Sequence, residues 1–363
     1  MKPPFRADQV GSLLRPKELA DARRNFKAGQ LEAGELKAIE DGCIREAISM
    51  QEAIGLEAIT DGEMRRDWWH LDFMAQLDGV TSVVNPGPKF GGTEEQPPIP
   101  AVTGKVGCSQ PIMVSDFSYL KKNTKRTAKL TIPSPAMLHL RGGRNSISKA
   151  VYPEIEEFWA DTTAAYRKAI RQFADAGCTY LQLDDVSFSY LCDPKIQETA
   201  RKNGDDPAKL PRTYADAASA ALKDRPAGMT VTMHTCRGNF KSRWVASGGY
   251  ETVAEAMFSS AVDAFFMEFD SERAGGFEPL RYLPKDKKVV LGLVTTKVGE
   301  LESKDDIKKR INAAAKFVPL ENLCLSPQCG FSSTHHGNAL SFDEQWRKLE
   351  RVVEVARDVW RGG

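Results

Sequence analysis

The most suggestive chemistry in the sequence lies in residues 230–239, which read TVTMHTCRGN. The first six residues have the alternating, β-branched pattern of a strand, and a glycine and an asparagine then break it. Residues two apart in an extended chain point to the same side, so one ion could bind both His234 and Cys236. A buried histidine beside a small apolar thiol is the simpler interpretation of this pair alone. A metal site therefore needs further ligands from elsewhere in the chain.

Two further residues of suitable chemistry follow other strand-like runs. Glu268 ends one apolar run, and Cys329 comes just after another. One imidazole, two thiolates and a carboxylate suit a tetrahedral zinc ion. We therefore expect His234, Cys236, Glu268 and Cys329 to bind Zn²⁺, provided that the fold brings the strand ends together.

The remaining cysteines and histidines do not form a second set of this kind. Five cysteines lie in predicted core elements or loops and receive no ligand role: Cys43, Cys108, Cys178, Cys192 and Cys324. The pair His335-His336 is a rival set of ligands, but adjacent residues in an extended chain point apart.

Short strand-like runs alternate with longer helical patterns along the whole chain. The predicted strands are residues 5–10, 57–61, 127–132, 179–184, 230–235, 263–269, 288–295 and 322–326. Apolar residues at steps of three and four predict helices over 153–176 and 343–360, the second with a capping-box spacing at Ser341 and Glu344. Eight such alternations predict one catalytic domain, residues 1–363, folded as a parallel (β/α)₈ TIM barrel. A doubly wound open sheet is the alternative.

A barrel of this kind concentrates chemistry at the carboxyl ends of its strands. Several predicted strands end in polar motifs, which are VGS at 10–12, TDGE at 60–63, LDD at 183–185 and TTK at 295–297. Polar side chains and the predicted zinc ligands therefore gather at one mouth. The proline- and glycine-rich stretch 85–100 cannot form a helix or a central strand, and it predicts a long loop excursion from the barrel.

The overall composition argues against several classes of protein. The net charge is +1, which gives no general attraction to nucleic acid or to an anionic membrane. No apolar run reaches the roughly 18 residues that a membrane span needs, and the first residues lack the apolar stretch of a signal peptide. Seven cysteines without a regular framework predict reduced thiols and a cytoplasmic location.

As a set, the strand-end motifs resemble those of the cobalamin-independent methionine synthase family, and the resemblance covers nearly the whole chain. It is closest to the catalytic C-terminal barrel of that family and to its short single-barrel relatives. The resemblance implies that Gly11 and Ser12 hold an amino-acid carboxylate, and that Glu63 and Asp184 bind its ammonium group. Capping of a strand end or an ion pair with a nearby arginine is the simpler role for these two acids. The residues that match the family's zinc ligands are His234, Cys236, Glu268 and Cys329.

The chain departs from the family where the methyl donor would bind. His139 stands where the family has a folate-binding tryptophan, and Tyr190 stands where it has a folate-contacting glutamate. The pair Glu94-Glu95 replaces a folate-contacting Arg-Cys pair. Lys297 stands where the family has a histidine that hands on a proton, which implies a catalytic proton donor or an anion contact. A solvated lysine at the barrel rim is the alternative.

These features predict a zinc-dependent transferase that moves a methyl or other alkyl group onto a thiol, with homocysteine giving methionine as the leading case. The donor is left open between a methylfolate, the methyl group of a corrinoid protein and another small methyl donor. One alternative is a zinc enzyme that opens epoxides with the thiol of coenzyme M. Two others are a zinc-free barrel lyase of the uroporphyrinogen decarboxylase kind, which would need several arginines, and a structural zinc protein.

Overall fold

The computed structural model describes residues 2–84 and 97–360. Within these residues, seven parallel strands form one curled sheet, and two antiparallel strands form a separate hairpin. The strands are β1 (Ala58–Ile59), β2 (Asp78–Val83), β3 (Ile99–Gly107), β4 (Thr127–Pro133), β5 (Tyr180–Asp185), β6 (Thr230–Thr235), β7 (Ala264–Glu268), β8 (Lys288–Val294) and β9 (Leu323–Pro327).

Helices connect the strands of the curled sheet. The helices are α1 (Lys17–Lys27), α2 (Ala33–Ile54), α3 (Leu71–Met74), α4 (Val114–Asn123), α5 (Ile155–Asp175), α6 (Ser187–Leu191), α7 (Pro194–Lys202), α8 (Leu210–Ala221), α9 (Ala254–Phe258), α10 (Lys304–Ala314) and α11 (Phe342–Val359). The two helices predicted from periodicity correspond to α5 and α11, and the capping box of Ser341 and Glu344 at the start of α11 is confirmed. Among the described helices, none combines the length and the apolar character that crossing a membrane requires.

The curled sheet places the carboxyl ends of its strands at one mouth. The spatial order is β1, β4, β5, β6, β7, β8 and β9, and every neighbouring pair is parallel. A doubly wound sheet reverses its strand order at a switch point, and this order has no reversal. The arrangement is therefore an α/β fold consistent with a TIM-like barrel, and the open-sheet alternative is wrong.

The first of the eight predicted strands, residues 5–10, is not a regular strand. Ala7 makes a single parallel bridge to Leu325 of β9, and the Asp8 amide donates to the Leu325 carbonyl at 3.0 Å. Beyond this segment, the Leu13 amide donates to the Gly62 carbonyl at 3.0 Å. The N-terminal segment therefore lies between β9 and the end of β1, but it contributes irregular backbone where the sequence predicted an eighth strand.

The side chain of Asp8 explains why the segment is irregular. Its carboxylate accepts hydrogen bonds from the backbone amides of Phe5, at 3.2 Å, and Gln9, at 2.8 Å. Such local bonds compete with the hydrogen-bond ladder of a strand. A pattern of apolar residues does not reveal this competition.

The hairpin of β2 and β3 was not predicted. β3 begins at Ile99, inside the stretch 85–100 that was predicted to be a loop, so the loop is shorter at that end. Most of the predicted excursion, including Glu94-Glu95, lies outside the described residues.

A buried ion pair ties the N-terminal segment to β4. The ammonium group of Lys129 lies 3.1 Å from Oδ1 of Asp8, and both side chains are fully buried. The Tyr180 hydroxyl donates to Oδ2 of the same carboxylate at 2.8 Å. Burial lowers the pKa of Lys129, and the charge of Asp8 opposes that change. Because neither charge reaches water, each depends on the other for its stabilisation.

Replacing Asp8→Asn should lower the free energy of unfolding by about 3–5 kcal/mol, because the variant leaves a buried ammonium group without its counter-charge. Urea unfolding monitored by circular dichroism measures the change. The double variant Asp8→Asn with Lys129→Met should recover most of the loss.

The exposed ion pair of Asp21 and Lys17 provides a matched control. Asp21→Asn should change stability far less than Asp8→Asn does, because solvent screens the charges of a surface pair. Equal losses in the two asparagine variants would contradict a special role for the buried pair.

Candidate metal centre and substrate pocket

The four predicted metal ligands meet at the mouth of the sheet. His234 lies in β6, Cys236 follows that strand directly, Glu268 ends β7, and Cys329 follows β9. Their ligand atoms all lie within 4.8 Å of one another, and all four residues are buried. Across residues 2–84 and 97–360, no other set of three or more histidine, cysteine or acidic residues could hold an ion in this way.

The two cysteine sulfurs have the spacing that a shared cation needs. Sγ of Cys236 lies 3.5 Å from Sγ of Cys329, and the Gly238 amide donates to Sγ of Cys236 at 3.3 Å. Two thiolates on a tetrahedral zinc ion, each about 2.3 Å from the metal, would lie about 3.8 Å apart. Contact between the thiols lowers the pKa of Cys329 and raises that of Cys236. Cys329 is therefore the first of the pair to become a thiolate.

Glu268 is held in place from the protein side. Its carboxylate accepts a hydrogen bond from the Arg237 amide at 3.2 Å and another from the Arg273 guanidinium at 3.1 Å. Arg273 also lies 2.8 Å from the carboxylate of Asp270. Burial raises the pKa of Glu268. These contacts are of the kind that orient a metal ligand.

His234 connects the candidate metal site to the pocket beside it. Its Nε2 atom lies 3.2 Å from the Gln328 carbonyl, and its Nδ1 atom lies 3.5 Å from Oδ1 of Asp184. Burial alone would lower the pKa of His234, but hydrogen bonds to Asp184 and Cys329 raise it to about 10. A cation bound in this cluster would supply the positive charge that the second ring proton of His234 supplies in the metal-free protein.

A pocket opens beside the ligands, with about 610 Å³ of empty space when the open solvent at its mouth is included, and Glu63 lies on its wall. One carboxylate oxygen of Glu63 accepts a hydrogen bond from Thr131 at 3.0 Å, while the other is buried without a hydrogen-bond partner. Burial raises the pKa of Glu63 to about 7, against the opposing charge of Arg66. Its backbone has a φ of +59°, a strained conformation that is frequent at functional sites. Glu63 and Asp184, which lines the same pocket, are thus available to a cationic ligand group.

Gly11 and Ser12 lie next to each other near Glu63, and of the two only Ser12 is part of the described pocket lining. Gly11 has a φ of +153°, and a Cβ atom there would lie 2.9 Å from Thr131 and 3.1 Å from the Glu63 carboxylate. Only glycine fits this approach. Ser12 lines the pocket, and its hydroxyl accepts a hydrogen bond from the Ser332 amide at 3.4 Å.

Lys297 lies inside the protein near the sulfur ligands. The side chain is 6% exposed, so the alternative of a solvated rim lysine is wrong. Its ammonium group donates to the Gly238 carbonyl and to the Asn239 side chain, both at 3.3 Å. It is not part of the described pocket lining, although its charge lowers the pKa of Cys329.

The residues that depart from the family pattern divide between the pocket and the core. His139 is buried outside the pocket lining, with its ring 3.0 Å from the Tyr214 hydroxyl and 3.5 Å from Asp205. Tyr190 lines the pocket, and its hydroxyl is buried without a hydrogen-bond partner.

The rival pair His335-His336 does not join the ligand cluster. The two rings lie 3.8 Å apart, so the expectation that they point apart is wrong. Both rings pack against Trp68, whose backbone bridges Thr334 and so joins the loop after β1 to the loop after β9. The pair therefore packs against Trp68, which lines the pocket, and neither histidine is part of the described lining.

Sequence reasoning missed several residues of the pocket, among them Arg141, Asn239 and Phe240. Each lies in a loop that follows a strand of the curled sheet. A search of strand ends that extended further into these loops would have included them, since barrel sites are built from such loops.

Residues 5–358 match the family model described as "Cobalamin-independent synthase, Catalytic domain". The chain belongs to this family. It is 47% identical over 364 residues to the uncharacterized protein YxjH of Bacillus subtilis, a match that covers 99% of this chain and 96% of that protein.

Two further comparisons concern a more distant relative and a solved structure. The methionine synthase of Pyrococcus horikoshii is 24% identical, over 88% of this chain and 84% of that protein. A solved structure from Listeria monocytogenes is 40% identical, covers 99% of both chains and superposes with a TM-score of 0.81. The fold and the catalytic-domain family are therefore shared over almost the full chain.

The raised pKa of Glu63 makes a prediction about stability in the metal-free protein. The carboxyl group has an ordinary pKa of 4.5 and a native pKa of about 7, so stability should fall as the pH rises through this interval. Glu63→Gln cannot lose a proton, and it should gain about 3 kcal/mol over the wild type at pH 8. At pH 5 the gain should be much smaller.

Urea unfolding of the chelator-treated proteins at pH 5 and pH 8 measures the difference. Glu350→Gln, at an exposed position of α11, is the matched control and should show no such pH dependence. A stability difference between Glu63→Gln and wild type that is the same at both pH values would show that the native carboxyl group is already ionised at pH 5.

Proposed function

We propose that this protein is a zinc-dependent transferase that moves a methyl or other alkyl group onto the thiol of homocysteine and forms methionine. The observation that carries the proposal is the cluster of His234, Cys236, Glu268 and Cys329, which adjoins a pocket where one carboxylate oxygen of Glu63 has no hydrogen-bond partner. Membership of the catalytic-domain family and the methionine synthase of Pyrococcus horikoshii support the same reaction.

The donor set of the cluster fits zinc. Two sulfurs, an imidazole and a carboxylate are its usual ligands, and the sulfur spacing of 3.5 Å is close to what one tetrahedral ion requires. When bound, zinc would supply the positive charge that keeps a substrate thiol deprotonated, and therefore nucleophilic, at neutral pH. Arg273 would hold the Glu268 carboxylate if the incoming thiol displaced it, because their ion pair of 3.1 Å does not depend on a metal.

The acidic wall of the pocket suits the amino-acid part of homocysteine. The free carboxylate oxygen of Glu63 and the carboxylate of Asp184 would accept hydrogen bonds from its ammonium group. Gly11 and Ser12 would hold its carboxylate. Binding would also give a hydrogen-bond partner to the free carboxylate oxygen of Glu63, whose other oxygen lies 3.7 Å from Arg66.

Lys297 would act on the sulfur ligands through its charge. Its ammonium group holds Gly238 and Asn239, which follow Cys236 in the chain, and it lowers the pKa of Cys329. Because it is not on the pocket wall, a direct proton transfer from Lys297 to substrate would need a water molecule or a shift of the side chain. We therefore propose that its main contribution is to stabilise thiolate charge.

The carboxylates of Glu63 and Asp184 disfavour the other candidate thiol and the other candidate reaction. Coenzyme M carries a sulfonate, which Glu63 and Asp184 would repel, so an epoxide-opening enzyme is the weaker candidate. A lyase acting on a polycarboxylate needs several cationic contacts. Arg141 is the only lysine or arginine on the described lining of the pocket.

We propose that the whole chain forms one catalytic domain that works in the cytoplasm on small molecules. All seven cysteines are free thiols, and reduced cysteines are typical of that compartment. The acidic pocket gives no contact for nucleic acid. A methylfolate, a corrinoid protein and another small methyl donor all remain candidates for the donor.

Zinc-loaded protein should convert homocysteine and a methyl donor to methionine, detected by mass spectrometry. The first donors to test are 5-methyltetrahydrofolate with one and with three glutamates, followed by methylcobalamin. Cys329→Ser should lose zinc, measured by inductively coupled plasma mass spectrometry, and should form no methionine, because a buried ligand is missing.

Cys43→Ser is the matched control. Cys43 is also buried, but its sulfur contacts Glu18 in the helical layer, far along the chain from the cluster. This variant should keep one zinc per chain and full activity. A Cys329→Ser protein that retained both zinc and activity would refute the proposed site.

A further inference from the structure

Arg141 places a positive charge in a pocket whose other charged walls are acidic. It is the only lysine or arginine on the described lining, which also contains Glu63, Asp184 and Asp185. Its Nε atom is buried without a hydrogen-bond partner, and within residues 2–84 and 97–360 its guanidinium forms no ion pair. A half-buried guanidinium without a counter-charge is costly, so it favours an anionic ligand.

Tyr190 extends this cationic end of the pocket toward the sulfur ligands. The guanidinium carbon of Arg141 lies 6.0 Å from the centre of the Tyr190 ring. The Tyr190 hydroxyl is buried without a hydrogen-bond partner, and a Cβ atom built on Gly238 would lie 3.1 Å from it. The Gly238 amide in turn donates to Cys236, so the hydroxyl lies between Arg141 and the candidate metal site. Burial raises the pKa of Tyr190 to about 12, which keeps its proton available as a donor.

Arg141 and the acidic groups of the pocket influence different neighbouring residues. Arg141 acts on the pKa values of His70 and Tyr190, whereas the charges that act on Glu63 are those of Arg66, Asp184, Arg15 and Asp61. An amino acid bound at Glu63 and Asp184 would therefore leave Arg141 without an anion. Trp69 and His70, whose ring centroids lie 4.9 Å apart with the ring planes at 42°, line the pocket with Arg141 and offer an aromatic wall.

We infer that Arg141 and the Tyr190 hydroxyl form an anion-binding subsite for the group-donating substrate. They would hold a carboxylate, phosphate or sulfonate of that donor, while its transferable group faces the sulfur ligands. This inference rests on the proposed function, because it assigns the second substrate of the same reaction. It requires that the donor carries an anionic group.

Inorganic phosphate is a suitable probe because it contains the anion alone. Titration of the zinc-loaded protein, followed by ³¹P line broadening, should give a dissociation constant that rises about 10- to 100-fold in Arg141→Gln, as expected for a charge-assisted hydrogen bond. Arg141→Lys should lie in between, since it keeps the charge but loses the two-pronged geometry. Tyr190→Phe should show a smaller loss.

Lys149→Gln is the matched control, since it removes the same charge from an exposed position in the same loop region. It should leave phosphate affinity unchanged. Homocysteine affinity, measured by calorimetry, should stay within about twofold of the wild type in Arg141→Gln. For any donor that supports turnover, the same variant should raise the KM for the donor and leave the KM for homocysteine unchanged.

Three results would overturn the inference. Phosphate could bind Arg141→Gln as well as it binds the wild type, or Lys149→Gln could lose as much affinity as Arg141→Gln. Homocysteine affinity could also fall in Arg141→Gln, which would make Arg141 a contact for the carboxylate of the acceptor. Failure of the proposed function would look different, because the wild type itself would then lack zinc or form no methionine.

Discussion

The contact between two buried sulfur atoms is the constraint on which the site depends. Cys236 and Cys329 are 93 positions apart in the chain, yet their sulfurs lie 3.5 Å apart. Only a sheet whose strands are parallel and curled brings the ends of β6 and β9 together in this way. Buried polar atoms at this distance, with a carboxylate and an imidazole beside them, must share a proton or a cation. The pKa shifts of the two thiols reflect a shared proton in the metal-free protein, and the proposed zinc ion would be the shared cation.

The pocket beside the sulfurs contains charged groups whose hydrogen bonds and ion pairs are incomplete within the described residues. Glu63 has one carboxylate oxygen without a partner, and Arg141 has no ion pair within the described residues. Each is costly in the free protein, and each would be compensated by a ligand of opposite charge. Local instability of this kind is typical of functional sites, whereas the buried pair of Asp8 and Lys129 satisfies its own charges.

The sequence predicted the parts of the molecule that follow regular patterns. Alternating runs located β4 to β9 within one or two residues, and the strand-end rule brought out all four members of the cluster before their distances were known. The prediction of strands failed where side chains compete with the backbone for hydrogen bonds, as Asp8 does in the N-terminal segment. Sequence reasoning also missed Arg141, because a long side chain can reach the pocket from well beyond a strand end. The burial of Lys297 depends on the packing of two loops, which no local pattern encodes.

The most direct test of this account is X-ray absorption at the zinc edge, recorded with and without L-homocysteine. Zinc-loaded protein alone should show two sulfur and two nitrogen or oxygen ligands, from the cluster of His234, Cys236, Glu268 and Cys329. Adding L-homocysteine should raise the sulfur count to three, at about 2.3 Å from the metal. A ligand set that is the same with and without the thiol would contradict the claim that the site activates it. So would a protein that binds no zinc.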